Sequence, residues 1–346
     1  MKKNHWIVII LFLTGLYACK KEIIEASATT FAGFKKPANF PEPAYHFNTN
    51  KVTRGGFELG RTLFYDPILS ADNTISCGNC HIQTSAFTQH GHSVSHGIHD
   101  LQGTRNSPPI MNLAWYTSFM WDGGIADLDL QPLAPIANHV EMDENITNVL
   151  AKLRAKPAYG DLFKKAFGSN EISSTTFLKA LSQFMTMCVS SNSKYDSVKR
   201  NEGKIFTADE QLGYTVFLQK CNSCHTEPLF TDNSFRNNGI SISGINDEGR
   251  YLTTLNAVDR YKFRVPSLRN LSYTAPYMHD GRFFTLDAVL DHYNSHVQNT
   301  PNLDLGLQTG GGLGIPISPT ERSRLIAFLN TLNDKVFITD KRFSEQ

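Results

Sequence analysis

Two five-residue runs carry the most specific chemistry in this sequence: Cys77-Gly-Asn-Cys80-His81 and Cys221-Asn-Ser-Cys224-His225. Two thiols three positions apart can each add to a vinyl group on one porphyrin edge, and the adjoining imidazole then reaches the iron from one face. Each run therefore reads as an attachment site for a covalent haem c. A zinc site would need further Cys or His pairs at ligand spacing, and a thioredoxin-like dithiol has no need of the His. Two complete copies in one chain argue against both.

Whether such haems carry electrons or catalyse depends on the sixth ligand and the distal pocket. The loop after the first run holds His90, His92, His96 and His99. Singly these suit solvated polar residues, and as a set beside a haem they are candidate distal ligands. Glu141 is the carboxylate of interest. Splitting a peroxide heterolytically moves a proton from its inner to its outer oxygen, which a carboxylate held against haem can do. The plain alternative is a solvated glutamate, since Glu141 lies in Glu-Met-Asp-Glu ahead of a helical stretch.

These residues need a scaffold, and 346 residues are enough for two domains of ordinary size. Phe57–Phe64 has helical spacing and stops before Asp66-Pro67, and Ala208–Gln219 leads in the same way into Cys221. The unit of amphipathic helix followed by Cys-x-x-Cys-His thus occurs twice. Asn145–Arg154, Thr175–Val189 and Glu321–Leu332 add helices, while strand-like alternation is scarce. Lys199–Lys204 is polar enough for a linker, so residues 51–200 are expected to form the first haem domain and 201–340 the second. The expected fold class is mainly α, two cytochrome c-like haem domains with long loops around the motifs.

A formal charge of +1 gives no reason to expect nucleic acid or an anionic membrane surface as partner. Residues 1–18 read as an export signal: Lys2 and Lys3, then an apolar run from Trp6 to Leu13, too short to span a bilayer comfortably. Leu16-Tyr17-Ala18-Cys19 resembles the lipobox of bacterial lipoproteins, which implies lipidation of Cys19; an ordinary signal peptide ending near a Cys is the alternative. Either way the mature protein is expected outside the cytoplasm, in the periplasm, with residues 19–50 as a tether. Cys188, in the apolar stretch Phe184–Val189, reads as a small buried hydrophobe.

Several further blocks accompany the haem runs: Gly103-Thr-Arg-Asn-Ser-Pro108, Phe119-Met-Trp-Asp-Gly123, Gln131 ten residues before Glu141-Met142, and Val265-Pro-Ser-Leu-Arg-Asn-Leu-Ser-Tyr-Thr-Ala-Pro-Tyr-Met-His-Asp-Gly281. With both haem runs they resemble the bacterial di-haem cytochrome c peroxidase and MauG family, from about Phe57 to Leu332. The resemblance implies that the haem on Cys77, Cys80 and His81 is peroxidatic and that the haem on Cys221, Cys224 and His225 receives electrons. It implies His96 as a distal ligand of the resting first iron, Gln131 and Glu141 as lining of the peroxide pocket, and Trp121 as an electron bridge between the haems. It also implies a calcium ion held by Asn106 with the backbone carbonyls of Thr274 and Pro276. Hydrogen peroxide would be the substrate, a small cytochrome c or cupredoxin the donor, and a homodimer is compatible.

At one position the sequence departs from the peroxidases, whose second haem carries a distal Met fourteen residues after the residue equivalent to His279. Counting on reaches Tyr293, the residue type MauG uses, and no Met follows Met278. The resemblance implies Tyr293 by register, with Met278 as the alternative; the plain reading is a core aromatic at Tyr293 and another ligand, or none, on the iron. A phenolate stabilises ferric iron and lowers the potential, whereas a thioether raises it. His96 points the other way, since MauG leaves its reactive haem without a distal His. Three functions follow as expectations: a peroxidase fed by a small redox protein, a MauG-like oxidase using a high-valent state on a protein substrate, and a non-catalytic di-haem electron carrier.

Overall fold

The computed structural model describes residues 31–308 and 311–346. The expected signal peptide, the Cys19 lipidation site and the tether as far as residue 30 lie outside the described residues. One compact unit runs from Lys36 to Gln346. From Lys36 onward the segment read as tether is packed: Phe40 and Asn50 are buried, and the Asn50 amide donates to the Lys179 carbonyl (3.0 Å).

Twelve helical segments of α type are described: α1 Arg54–Tyr65, α2 Cys77–Cys80, α3 Leu133–Ala137, α4 Ile146–Arg154, α5 Pro157–Phe167, α6 Ser174–Met187, α7 Lys194–Lys199, α8 Ala208–Lys220, α9 Tyr251–Thr254, α10 Leu286–Asp291, α11 Pro319–Asn330 and α12 Lys335–Thr339. The strands β1 (Phe235–Arg236) and β2 (Phe263–Arg264) form one short antiparallel ladder with Phe235 opposite Arg264. Local chemistry sets the ends of the long helices. Thr53 caps α1, whose run stops at Asp66-Pro67 because the residue before proline is pushed out of the helical region. Reciprocal capping boxes pair Thr207 with Glu210 on α8 and Ser318 with Glu321 on α11, where Pro319 takes the first helical position. Among the described residues no helix is long and apolar enough to cross a membrane.

Two helix crossings organise the unit, and they are built alike. A Cβ on Gly60 of α1 would stand 1.9 Å from the Ala180 carbonyl oxygen of α6, and one on Gly213 of α8 would stand 1.9 Å from the Arg324 carbonyl oxygen of α11. Only a residue without a side chain allows backbones that close. One turn further on, Phe64 meets Phe184 (centroids 4.9 Å) and Phe217 meets Phe328 (5.1 Å). Around the first crossing Phe57, Phe87, Phe337 and Phe343 complete a buried aromatic core; around the second stand Tyr195, Phe230, Leu325 and Leu332.

The chain does not divide cleanly between the two lobes. After α11 it returns to the first, where the Tyr65 hydroxyl donates to the Phe343 carbonyl (2.8 Å) and the Gln83 amide to the Asp340 carbonyl (2.8 Å). A buried ion pair fastens α7 to the block after β2: Arg269 donates through both terminal nitrogens to the two Asp196 oxygens, each at 2.8 Å, with both side chains shielded from solvent.

Candidate active site

In a helical turn, residues i, i+3 and i+4 share a face, so a Cys-x-x-Cys-His run on one turn presents both thiols and the imidazole together. Both runs take this form, with the His81 amide donating to the Cys77 carbonyl (2.9 Å) and the His225 amide to the Cys221 carbonyl (3.0 Å). Gly78 suits the first run because a Cβ there would meet the Tyr65 ring at 2.5 Å. All four thiols are free of disulfides, and burial pushes Cys77 and Cys221 up to about 12.

The histidines are oriented in the same way. His81 Nδ1 lies 2.8 Å from the Phe87 carbonyl, and His225 Nδ1 lies 3.2 Å from that of Phe230 and 3.1 Å from that of Pro266. A carbonyl accepts only from a protonated Nδ1, which fixes the tautomer and leaves Nε2 with its lone pair for iron. Burial lowers the pKa of both rings and so favours the neutral, ligating form. Paired thiols, a Nδ1-anchored imidazole and an aromatic core at each run fit a covalent haem at each.

At the first run the structure brings Glu141 and the His96 loop together. The Ile98 amide donates to the Glu141 carbonyl (2.8 Å), and the Cys80 thiol lies 3.9 Å from the His96 carbonyl. Gly97 is required where it is, because a Cβ would stand 2.2 Å from the Val140 oxygen. The Glu141 carboxyl is close enough to both thiols to disfavour their ionisation. Burial raises its own pKa, while the Asn138 amide, donating to Oε1 at 2.7 Å, pulls it back. The Glu141 carboxyl is therefore partly withdrawn from water and fixed by Asn138, rather than freely solvated.

The remaining expected residues divide. Gln131 is half-buried, with its amide 3.8 Å from the Met120 sulfur. The His96 ring is engaged at both nitrogens, Nδ1 at 2.5 Å from an Asp100 oxygen and Nε2 at 3.3 Å from the Gln102 amide, so in this arrangement only its backbone adjoins the haem thiols. Trp121 is buried, and its indole N–H donates to the Asn106 carbonyl (2.7 Å). Asn106 Oδ1 and the carbonyls of Thr274 and Pro276, the residues expected to hold calcium, accept no hydrogen bond among the described residues.

At the second run Tyr293 lies in a π-helical turn, His292–His296, an irregularity that re-aims side chains and recurs at functional sites. Burial pushes its hydroxyl up to about 12, an Asn238 hydrogen bond opposes this, and the Cys224 and Cys221 thiols are near enough to add to it. The Asn238 amide also donates to the Met278 sulfur at 3.4 Å. The same amide thus engages the Met278 lone pair and contacts the phenol.

Sequence reasoning missed Asn138, Asn238 and a second internal duplication. Phe119-Met-Trp-Asp-Gly123 and Tyr277-Met-His-Asp-Gly281 are two copies of one turn. Met120 and Met278 both have positive φ (69° and 74°), Gly123 and Gly281 likewise (72° and 67°), and the bridges Phe119 with Ile125 and Tyr277 with Phe283 match. The aromatic-Met-x-Asp-Gly pattern was the available signal.

Residues 54–204 match the family described as di-haem cytochrome c peroxidase. The methylamine utilization protein MauG of Methylorubrum extorquens is 34% identical over 311 residues, covering 89% of this chain and 86% of that protein. The cytochrome c551 peroxidase of Pseudomonas aeruginosa is 30% identical over 306 residues, covering 85% and 83%. The crystal structure of a MauG-like protein associated with microbial copper homeostasis superposes with a TM-score of 0.81 at 32% identity, covering 90% of this chain and 98% of that one. The diheme peroxidase BthA from Burkholderia thailandensis, at 21% identity and a TM-score of 0.72, shares the fold. With both haem runs, their anchored histidines and these likenesses over most of its length, the chain belongs to the di-haem cytochrome c peroxidase and MauG family, whose members imply two haem c groups in a mainly α fold.

Proposed function

We propose that this protein reduces hydrogen peroxide at the haem held by Cys77, Cys80 and His81, with electrons entering through the haem held by Cys221, Cys224 and His225. The observation that carries this reading is Glu141, a carboxyl partly withdrawn from water, held by Asn138 and placed against the first pair of thiols. A haem bound there would pass on the two electrons; the chain must supply the proton traffic. Peroxide, two electrons and two protons give two waters, and Glu141 takes the proton from the inner oxygen and returns it to the outer one. The donor in this reading is a small cytochrome c or cupredoxin, and the mature protein acts in the periplasm, tethered through Cys19. A calcium ion on Asn106, Thr274 and Pro276 would bind the two lobes together. The test is to mix haem-loaded protein with peroxide and reduced cytochrome c: two cytochromes oxidised per peroxide supports the reading, and peroxide left unconsumed sinks it.

A second reading is favoured by Tyr293. A phenol beside Cys221 and Cys224, with the Met278 sulfur taken up by Asn238, supports a low-potential second haem, poorly matched to a high-potential donor. That suits a MauG-like oxidase acting on a protein side chain. Rapid peroxide consumption with no oxidation of any small redox protein would select it.

A further inference from the structure

Arg264 on β2 is 6% exposed, yet every hydrogen bond it makes goes to a neutral oxygen. Nη2 donates to Ser118 Oγ (2.8 Å) and Nε to the Met120 carbonyl (3.4 Å), while Nη1, also buried, has no partner among the described residues. The guanidinium lies 4.8 Å from the Phe235 ring centre and 5.4 Å from that of Tyr116. Phe235 carries a second guanidinium, Arg250, at 4.0 Å, and the nearby carboxylate, Asp122, is bonded to Arg105, so no carboxylate hydrogen-bonds Arg264 among the described residues. A buried cation with an unmade hydrogen bond is costly and ordinarily marks a missing anion.

Arg105 shows what this chain does with a comparable cation when the anion is its own. Its guanidinium takes both oxygens of Asp247 (2.6 and 2.8 Å) and one of Asp122 (2.6 Å). Arg264 has no such arrangement. Its backbone ties it to the Trp121 turn and to the second haem run: its amide donates to the Trp121 carbonyl (2.8 Å), and two residues on, the Pro266 carbonyl holds Nδ1 of His225. Each haem brings two carboxylates, and a planar guanidinium with an unused donor is suited to bind one.

We propose that Arg264 is a haem-propionate anchor, its unpaired Nη1 binding a carboxylate of the second haem. The link to His225 through Pro266 favours that haem over the first. This inference rests on haem attachment alone and is independent of the peroxide reading. The charge-assisted bond would fix the orientation of the second porphyrin beside Trp121 and raise the potential of its iron by placing a positive charge near it.

The experiment is a redox titration of haem-loaded R264Q and R264K, following each haem separately, together with resonance Raman spectra of the propionate-bending bands. In R264Q the second haem should shift about tenfold toward ferric at fixed potential, 59 mV for a one-electron couple, and its propionate band should move toward that of a free carboxylate. R264K, which keeps the charge, should recover most of the potential but not the band. The same changes confined to the first haem would overturn the assignment to the second, and unchanged potentials and bands would overturn the proposal altogether. Should R264Q fail to fold, a crystal structure of the native haem-loaded protein decides: a propionate oxygen on Nη1 supports the anchor, and a water or a protein oxygen there overturns it.

Discussion

Trp121 and His279 occupy the same position in two copies of one turn, and both are fastened to Asn106, whose carbonyl accepts from the indole N–H and whose amide donates to the His279 carbonyl, each at 2.7 Å. Trp121 is thereby held against rotation by the residue that also fastens the second copy of the turn. Replacing it with Phe removes the hydrogen bond and leaves the Asn106 carbonyl unpaired, at a cost of about 1–3 kcal/mol. If the indole carries electrons between the haems, W121F should lower kcat about tenfold, or about 1.4 kcal/mol of barrier, with KM for peroxide unchanged. Steady-state kinetics with a reduced cytochrome donor would show the split, and an unchanged kcat would remove Trp121 from the electron path.

Glu141→Gln should abolish most peroxide reduction, by roughly 10²–10⁴-fold, while both haem spectra persist. Burial raises the Glu141 carboxyl pKa. The folded chain therefore binds this proton more tightly than the unfolded one, and its ionisation costs stability as pH rises through the raised value. E141Q should be as stable as the parent or more so at neutral pH, and lose the acid limb of the rate profile. Thermal unfolding and a pH–rate curve measure the two effects together.

Tyr293 and Asn238 can be separated by three variants. A hydroxyl pushed up to about 12 is neutral at pH 7 unless a cation replaces its proton, so phenolate vibrations in the resonance Raman spectrum of the haem-loaded protein would report the Tyr293–iron bond. Y293F should lose those bands and open the second haem to a high-spin form. In Y293F/N238A the Met278 sulfur loses its amide donor, and a low-spin, thioether-type spectrum should return; in N238A alone the phenolate should remain.

Asp196 and Arg269 predict the acid limit of the fold. Burial alone would raise the Asp196 carboxyl, but the Arg269 hydrogen bonds overcome it and hold the group below its ordinary value of 3.8. Its contribution is complete above that value and is lost as pH falls through the depressed one. D196N should cost about 3–5 kcal/mol at neutral pH by leaving the guanidinium buried and unpaired, and the difference from the parent should shrink in acid. Denaturant titrations at two pH values would establish both.

The haem runs and the long helices were legible because one turn of helix imposes the i, i+3, i+4 geometry and amphipathic spacing marks the buried face; the Phe57–Phe64 pattern became Arg54–Tyr65, and Ala208–Gln219 became Ala208–Lys220. Glu141 could be nominated from chemistry, but its partner could not, since Asn138 matters only through a chain reversal that returns it to Oε1. His96 shows the limit in the other direction. Its type and place suggested a ligand, yet Asp100 and Gln102, four and six residues on, take its two nitrogens through a local turn. Asn238 and Arg264 carry no motif at all and acquire meaning from neighbours distant in the chain, Met278 for the one and Ser118 and Met120 for the other.

The return of the C-terminal segment to the first lobe sets an order of assembly. Phe337 and Phe343 complete the aromatic core beneath the first haem run, although they follow α11 in the chain. The second core can close once α11 has reached α8, but the first stays open on one side until Phe337 and Phe343 have packed into it. A chain cut after α11 should therefore keep the packing around Cys221 and Cys224 and leave that around Cys77 and Cys80 incomplete.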